Sequence, residues 1–150
     1  MKRTITAIAA VVLALVLSPV AANADTDELH PDVEYALEAV PGGIAVSDTA
    51  VVWPTLGMIL EAESQMQRAV GSCATGTYCA YAQSGLRGTK LTFTICTNVS
   101  TAALQTVGSI ANGRSSGNVH ARNGGTILAT AGANGSANVG GGTTNLLCTL

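Results

Sequence analysis

The sequence predicts an all-β fold stapled by disulfides, and three observations carry that expectation. Lys90-Leu91-Thr92-Phe93-Thr94-Ile95-Cys96 alternates apolar and polar side chains at the two-residue period of a half-buried strand. Short β-rich runs recur beyond Gly71, separated by Gly- and Asn-rich turns, as in sandwiches and barrels. The chain has four cysteines, an even number, behind an export leader, which points to two disulfides.

The leader is read from Lys2 and Arg3, the apolar run Ile5 to Leu17, the break at Pro19 and the small-residue site Ala22-Asn23-Ala24. The run is shorter than the roughly 20 residues a membrane span needs. No cysteine follows the cleavage site to carry a lipid anchor. The expected product starts at Asp25, is secreted, and leaves no membrane segment. Residues 25–70 form an acidic extension with a polar linker at 61–70, and residues 71–150 form the β domain.

In the extension, residues 25–40 are expected to be helical. Val33, Ala36, Leu37 and Val40 share helical spacing, Asp25, Thr26 or Asp27 offers a cap, and Pro41-Gly42-Gly43 stops the run. Ile44-Ala45-Val46 and Ala50 to Trp53 read as strands, with Pro54 to Gly57 turning the chain into Met58-Ile59-Leu60. In the β domain, Tyr78 to Tyr81 is a strand candidate. Asn118 to Arg122 and Thr126 to Thr130 flank Asn123-Gly124-Gly125 as a hairpin, and Ala137 to Val139 is a short strand. Aromatic residues make up 3% of the chain, so the core must rest on Val, Ile, Leu and Ala.

The cysteines, Cys73, Cys79, Cys96 and Cys148, contain no Cys-x-x-Cys pair, which argues against zinc. They allow three disulfide connectivities, and the sequence alone does not choose among them. Our working assignment joins Cys73 to Cys79 and Cys96 to Cys148.

Charge is strongly segregated. The nine acidic residues all precede Ser64, whereas beyond it stand only Arg68, Arg87, Lys90, Arg114 and Arg122. The extension is therefore either a pro-segment docked on a basic domain or an integral helix-plus-hairpin addition, and the strand-like Val51 to Trp53 favours the second. A glycosidase needs two carboxylates and a Ser-His-Asp triad needs one, and the β domain has neither Asp nor Glu. His120 falls in a predicted strand and reads as a surface or half-buried strand residue. These absences exclude both chemistries for the β domain by itself, and no enzyme activity is expected. Scattered cations and few aromatics argue against nucleic-acid binding.

Two local patterns carry a family resemblance. Tyr81, Leu86 and Gly88 occupy the places of aromatic, aromatic and glycine in the βγ-crystallin Greek-key hairpin motif, with Leu86 replacing the second aromatic. Ala111-Asn112-Gly113-Arg114-Ser115-Ser116 follows the calcium signature of that family except at Ala111. Together with the leader, Cys73, Cys79 and Cys96, these residues resemble the secreted βγ-crystallin-like peptidase inhibitors of actinobacteria over roughly 71–148. The resemblance implies a Greek-key sandwich and a monomeric inhibitor of an extracellular peptidase, in particular a metalloprotease of the thermolysin type.

It implies no cofactor beyond weak calcium at Asn112, Ser115 and Ser116, since Ala111 supplies no oxygen and no carboxylate lies nearby. A structural role for these three, closing a turn, is the favoured reading. Ser84–Lys90 and Ala111–Asn118 are the expected exposed loops, with Arg87 and Arg114 as contacts to the peptidase. The alternatives are an extracellular module that binds calcium, glycan or cell wall, and a small secreted toxin or antimicrobial protein.

Overall fold

The computed structural model describes residues 28–63 and 73–150, so the leader, its cleavage site and most of the linker lie outside the described residues. The helix α1 spans Pro31–Ala39. It begins later than the expected 25–40 because Pro31 has no N–H to donate and its ring clashes with a preceding helical carbonyl, so it suits only a first turn. The cap is His30, whose Nδ1 accepts the Asp32 N–H at 3.2 Å. Asp25, Thr26 and Asp27, the expected caps, lie outside the described residues. Val33 and Ala36 face the core, fully buried.

Eleven strands follow among the described residues: β1 Ile44–Ser47, β2 Ala50–Trp53, β3 Met58–Glu61, β4 Tyr78–Gln83, β5 Arg87–Phe93, β6 Asn98–Ser100, β7 Ser109–Asn112, β8 Asn118–Asn123, β9 Thr126–Gly132, β10 Gly135–Asn138 and β11 Asn145–Thr149. A 3-10 turn at Pro54–Leu56 joins β2 to β3. The strands form two antiparallel sheets, ordered β1-β2-β3-β5-β4-β7-β10 and β6-β11-β8-β9.

The acidic extension is thus part of the larger sheet. Its strand β3 pairs with β5 from Met58↔Phe93 to Glu61↔Lys90, and Lys90 Nζ meets Glu61 Oε2 at 2.6 Å. Thr89 Oγ1 also hydrogen-bonds the Asp32 carboxylate and so ties α1 to the same strand. Along β3 the pleat buries Met58 and Leu60 beside Phe93 and Leu91.

From β4 onward the topology repeats. β4 and β5 form a hairpin, β6 crosses to the smaller sheet, and β7 returns beside β4; β8 and β9 form a hairpin, β10 crosses to the larger sheet, and β11 returns beside β8. Each crossing strand pairs with the other half, β6 on β11 and β10 on β7. One core fills the space between the sheets, with Tyr78, Ala80, Leu91, Phe93 and Ile110 from the larger and Val119, Ala121 and Leu146 from the smaller. The Tyr78 and Phe93 rings stack at 5.1 Å within it.

Two expectations are corrected. The strand read over 90–96 ends at Phe93, because its partner β3 begins only at Met58, after the left-handed Gly57 that closes the 3-10 turn; Thr94 makes the last contact, its N–H and hydroxyl donating to Gly57 O. Ile95 is therefore half-exposed instead of facing the core. Of the loops expected at 84–90 and 111–118, Lys90 lies mid-strand in β5, Ala111 and Asn112 lie in β7, and Asn118 opens β8. The connections themselves are shorter.

Candidate interaction loop

The disulfides join Cys73 to Cys79 and Cys96 to Cys148. The first closes the 73–79 segment against β4. It stands beside the β7–β8 connection, Gly113 to Gly117, an exposed loop braced at both ends. Asn112, 1% exposed, stands at its base. Its Oδ1 accepts the Arg114 N–H at 3.1 Å and its Nδ2 donates to Gly117 O at 3.1 Å, so one carboxamide holds both ends of the loop. Gly113 exchanges backbone hydrogen bonds with Thr77 and Gly76, and Arg114 O accepts from Asn134 N. Gly117 has φ +74°, and a Cβ there would overlap Thr149 O. Ser115 and Ser116 are exposed between these anchors.

This accounts for the residues singled out from sequence. Asn112 makes the predicted turn closure, with both ends of its amide engaged inside the loop. Ser115 and Ser116 lie on the solvent side, and no bond ties either hydroxyl to Asn112. Arg114 is half-buried, with its Nε shielded and unpaired and its charge close enough to act on Tyr78. Burial pushes the Tyr78 phenol above its usual range, and the Arg114 charge works against that rise. Arg87 is exposed at the start of β5, paired with Gln83 across the hairpin. The structure thus separates the two arginines: Arg87 faces solvent, whereas Arg114 is partly drawn into the fold.

In the β4–β5 hairpin Gly88 adopts φ +78°, and a Cβ there would crowd Gln83 and Ala82. Gly85 and Leu86 are also left-handed. Tyr81, the aromatic that opens the motif, is fully buried, and burial followed by the Glu61 charge raises its phenol to about 12. His120 sits in β8 as expected, its Nδ1 2.8 Å from Thr130 Oγ1.

No known protein family, curated protein or solved structure matches this chain.

Three recesses adjoin these elements. One of about 270 Å³ lies beside the braced loop, among Thr75, Leu86, Asn112, Asn134 and Ser136. A second, of about 200 Å³, lies between α1 and the 103–106 segment and includes Asp32, Tyr35 and Gln105. The third, of about 250 Å³, is mostly apolar and lies between the 3-10 turn and residues 95–100. Sequence reading misses it because its walls come from separate segments. The only local signal is the pair of apolar residues, Leu56 and Ile95, stranded outside the strands.

Proposed function

We propose that the chain is exported, loses residues 1–24, and acts outside the cell as an inhibitor of extracellular metalloproteases, with a βγ-crystallin-like double Greek key as its scaffold. The observation that carries this reading is the loop Gly113 to Gly117, braced by Asn112 and hydrogen-bonded to two other segments, at Gly76-Thr77 and at Asn134, with two small side chains held out to solvent. A loop ordered before binding loses little entropy on entering a cleft, and it disfavours the relaxation that would let a cut chain leave. The repeated strand order and the left-handed Gly88 support the scaffold assignment, and the two disulfides are compatible with an oxidising location.

Of the two loops considered, 84–88 is the poorer insert. An active-site cleft that aligns its substrate as a strand needs extended backbone, and Gly85, Leu86 and Gly88 are all left-handed. Arg114, Ser115 and Ser116 carry no positive φ, although the chain bends through them and Gly117 closes the loop in a left-handed conformation.

The test is titration of a thermolysin-like metalloprotease with the oxidised protein, with and without reductant. Stoichiometric inhibition lost on reduction is expected, and Ser115→Trp should weaken it without altering thermal stability. Asn112→Ala, which leaves Gly117 O and the Arg114 N–H without their partner, should cost about 1–3 kcal/mol of stability and turn the loop into a cleavable substrate. Absence of inhibition of metalloproteases would overturn the reading in favour of an extracellular binding module. Inhibition undiminished in both variants would instead move the contact away from this loop.

A further inference from the structure

We propose that the recess between the 3-10 turn and residues 95–100 is a binding site for a small uncharged molecule carrying one aromatic ring. Its walls are Val40, Leu56, Met58, Phe93, Ile95 and Val99. What sets it apart from an ordinary surface dimple is the fate of the backbone carbonyls around it. Val40 O accepts the Trp53 indole N–H at 2.9 Å. Gly57 O accepts from the N–H and the hydroxyl of Thr94. Ile95 O and Thr97 O share the Tyr78 hydroxyl at 2.9 and 3.3 Å, and Thr97 O also accepts from Cys148 N. The carbonyls of the lining residues Val40, Ile95 and Thr97, and that of neighbouring Gly57, are engaged by the protein itself, so these acceptors hold little water in place.

Size and shape agree. An apolar cavity of about 150 Å³ accommodates benzene, and drug-sized ligands fill roughly 300–1,000 Å³. At about 250 Å³ this site suits one substituted ring. Its rim is formed by Leu56 and Ile95, 47% and 50% exposed, and Ile95 packs against Gly57, where a Cβ would approach it to 2.8 Å. The remaining polar groups at the site are the Thr55, Thr97 and Ser100 side chains. No charged residue lines it, so an ionised ligand would lose hydration there without gaining a partner.

The experiment is a titration of the oxidised protein with toluene, followed by methyl NMR, with benzoate as the charged counterpart. Saturable shifts are expected at Leu56, Met58, Ile95 and Val99. The methyls of Ile44 and Val46, which are at least as exposed but lie on the edge strand β1, should stay still. Benzoate should shift none of them. Ile95→Lys places an ammonium at the mouth and should weaken toluene binding by at least about tenfold, with the buried methyls of Val51 and Leu60 unmoved. If that variant disturbs the core resonances, Leu56→Lys makes the same comparison from the opposite rim. Shifts that fail to saturate, spread equally to Ile44 and Val46, or match those of benzoate would overturn the site.

Discussion

At the scale of single residues, the domain depends on polar groups placed where few are tolerated. Asn112 is buried beside an apolar core, and its position is sustained because both faces of its amide are matched. Tyr81 is the other case. Its phenol titrates at about 12 in the folded chain, against about 10 when unfolded. Below pH 10 both states keep the proton and the full stability is present. Toward pH 12 only the unfolded chain releases it, so stability falls by about 2–3 kcal/mol across that window. Tyr78 adds to the loss in the same direction. Tyr81→Phe should flatten this alkaline limb, read as the slope of unfolding free energy in denaturant melts from about pH 9 to about pH 12. An unchanged slope would remove Tyr81 from the account.

At the scale of elements, the seam between β3 and β5 joins the acidic extension to the β domain. Four residue pairs, the Lys90–Glu61 ion pair, the Asp32–Thr89 bond and the burial of Met58 and Leu60 join it to the β domain. A chain cut between Glu63 and Cys73 should therefore remain a single particle on size exclusion, and Leu60→Asp should let the two pieces part. Prompt separation of the unmutated pieces would restore the docked pro-segment.

Much of this level was legible in the sequence. The alternation through Leu91 and Phe93, the hairpin turn at Gly124 and Gly125, and the stop at Pro41 to Gly43 are local signals, and each lies where it was read. Ile95 was misread because its fate is set by Gly57, a partner far away in sequence. The recess of Leu56 and Ile95 escaped for the same reason. Asn112 was legible as a turn residue, but not the two segments that meet around its loop.

At the scale of the whole molecule, the two disulfides have different tasks. Cys96–Cys148 spans a sequence separation of 52 and Cys73–Cys79 only 6. By loop-closure entropy the longer link stabilises by about 4 kcal/mol and the shorter by about 2.4 kcal/mol. Replacing Cys96 and Cys148 by Ala should lower the melting temperature more than replacing Cys73 and Cys79, whereas the second pair should matter more to the loop beside it. Calorimetry of the two double variants checks the first, and proteolysis at Ser115–Ser116 checks the second. A reversed order in the melts would place the main constraint at the short link.

The crossing of β6 and β10 has a consequence for how such a domain can shrink. Residues 78–112 leave β6 without a neighbour and β7 with an open side, and residues 118–149 leave the complementary gaps. Neither half closes alone, and each lacks the strand that the other supplies. A chain shortened to one half regains complete sheets only by lending its third strand to a twin, so the smallest unit with this architecture is a pair of halves, whether fused in one chain or clasped as two.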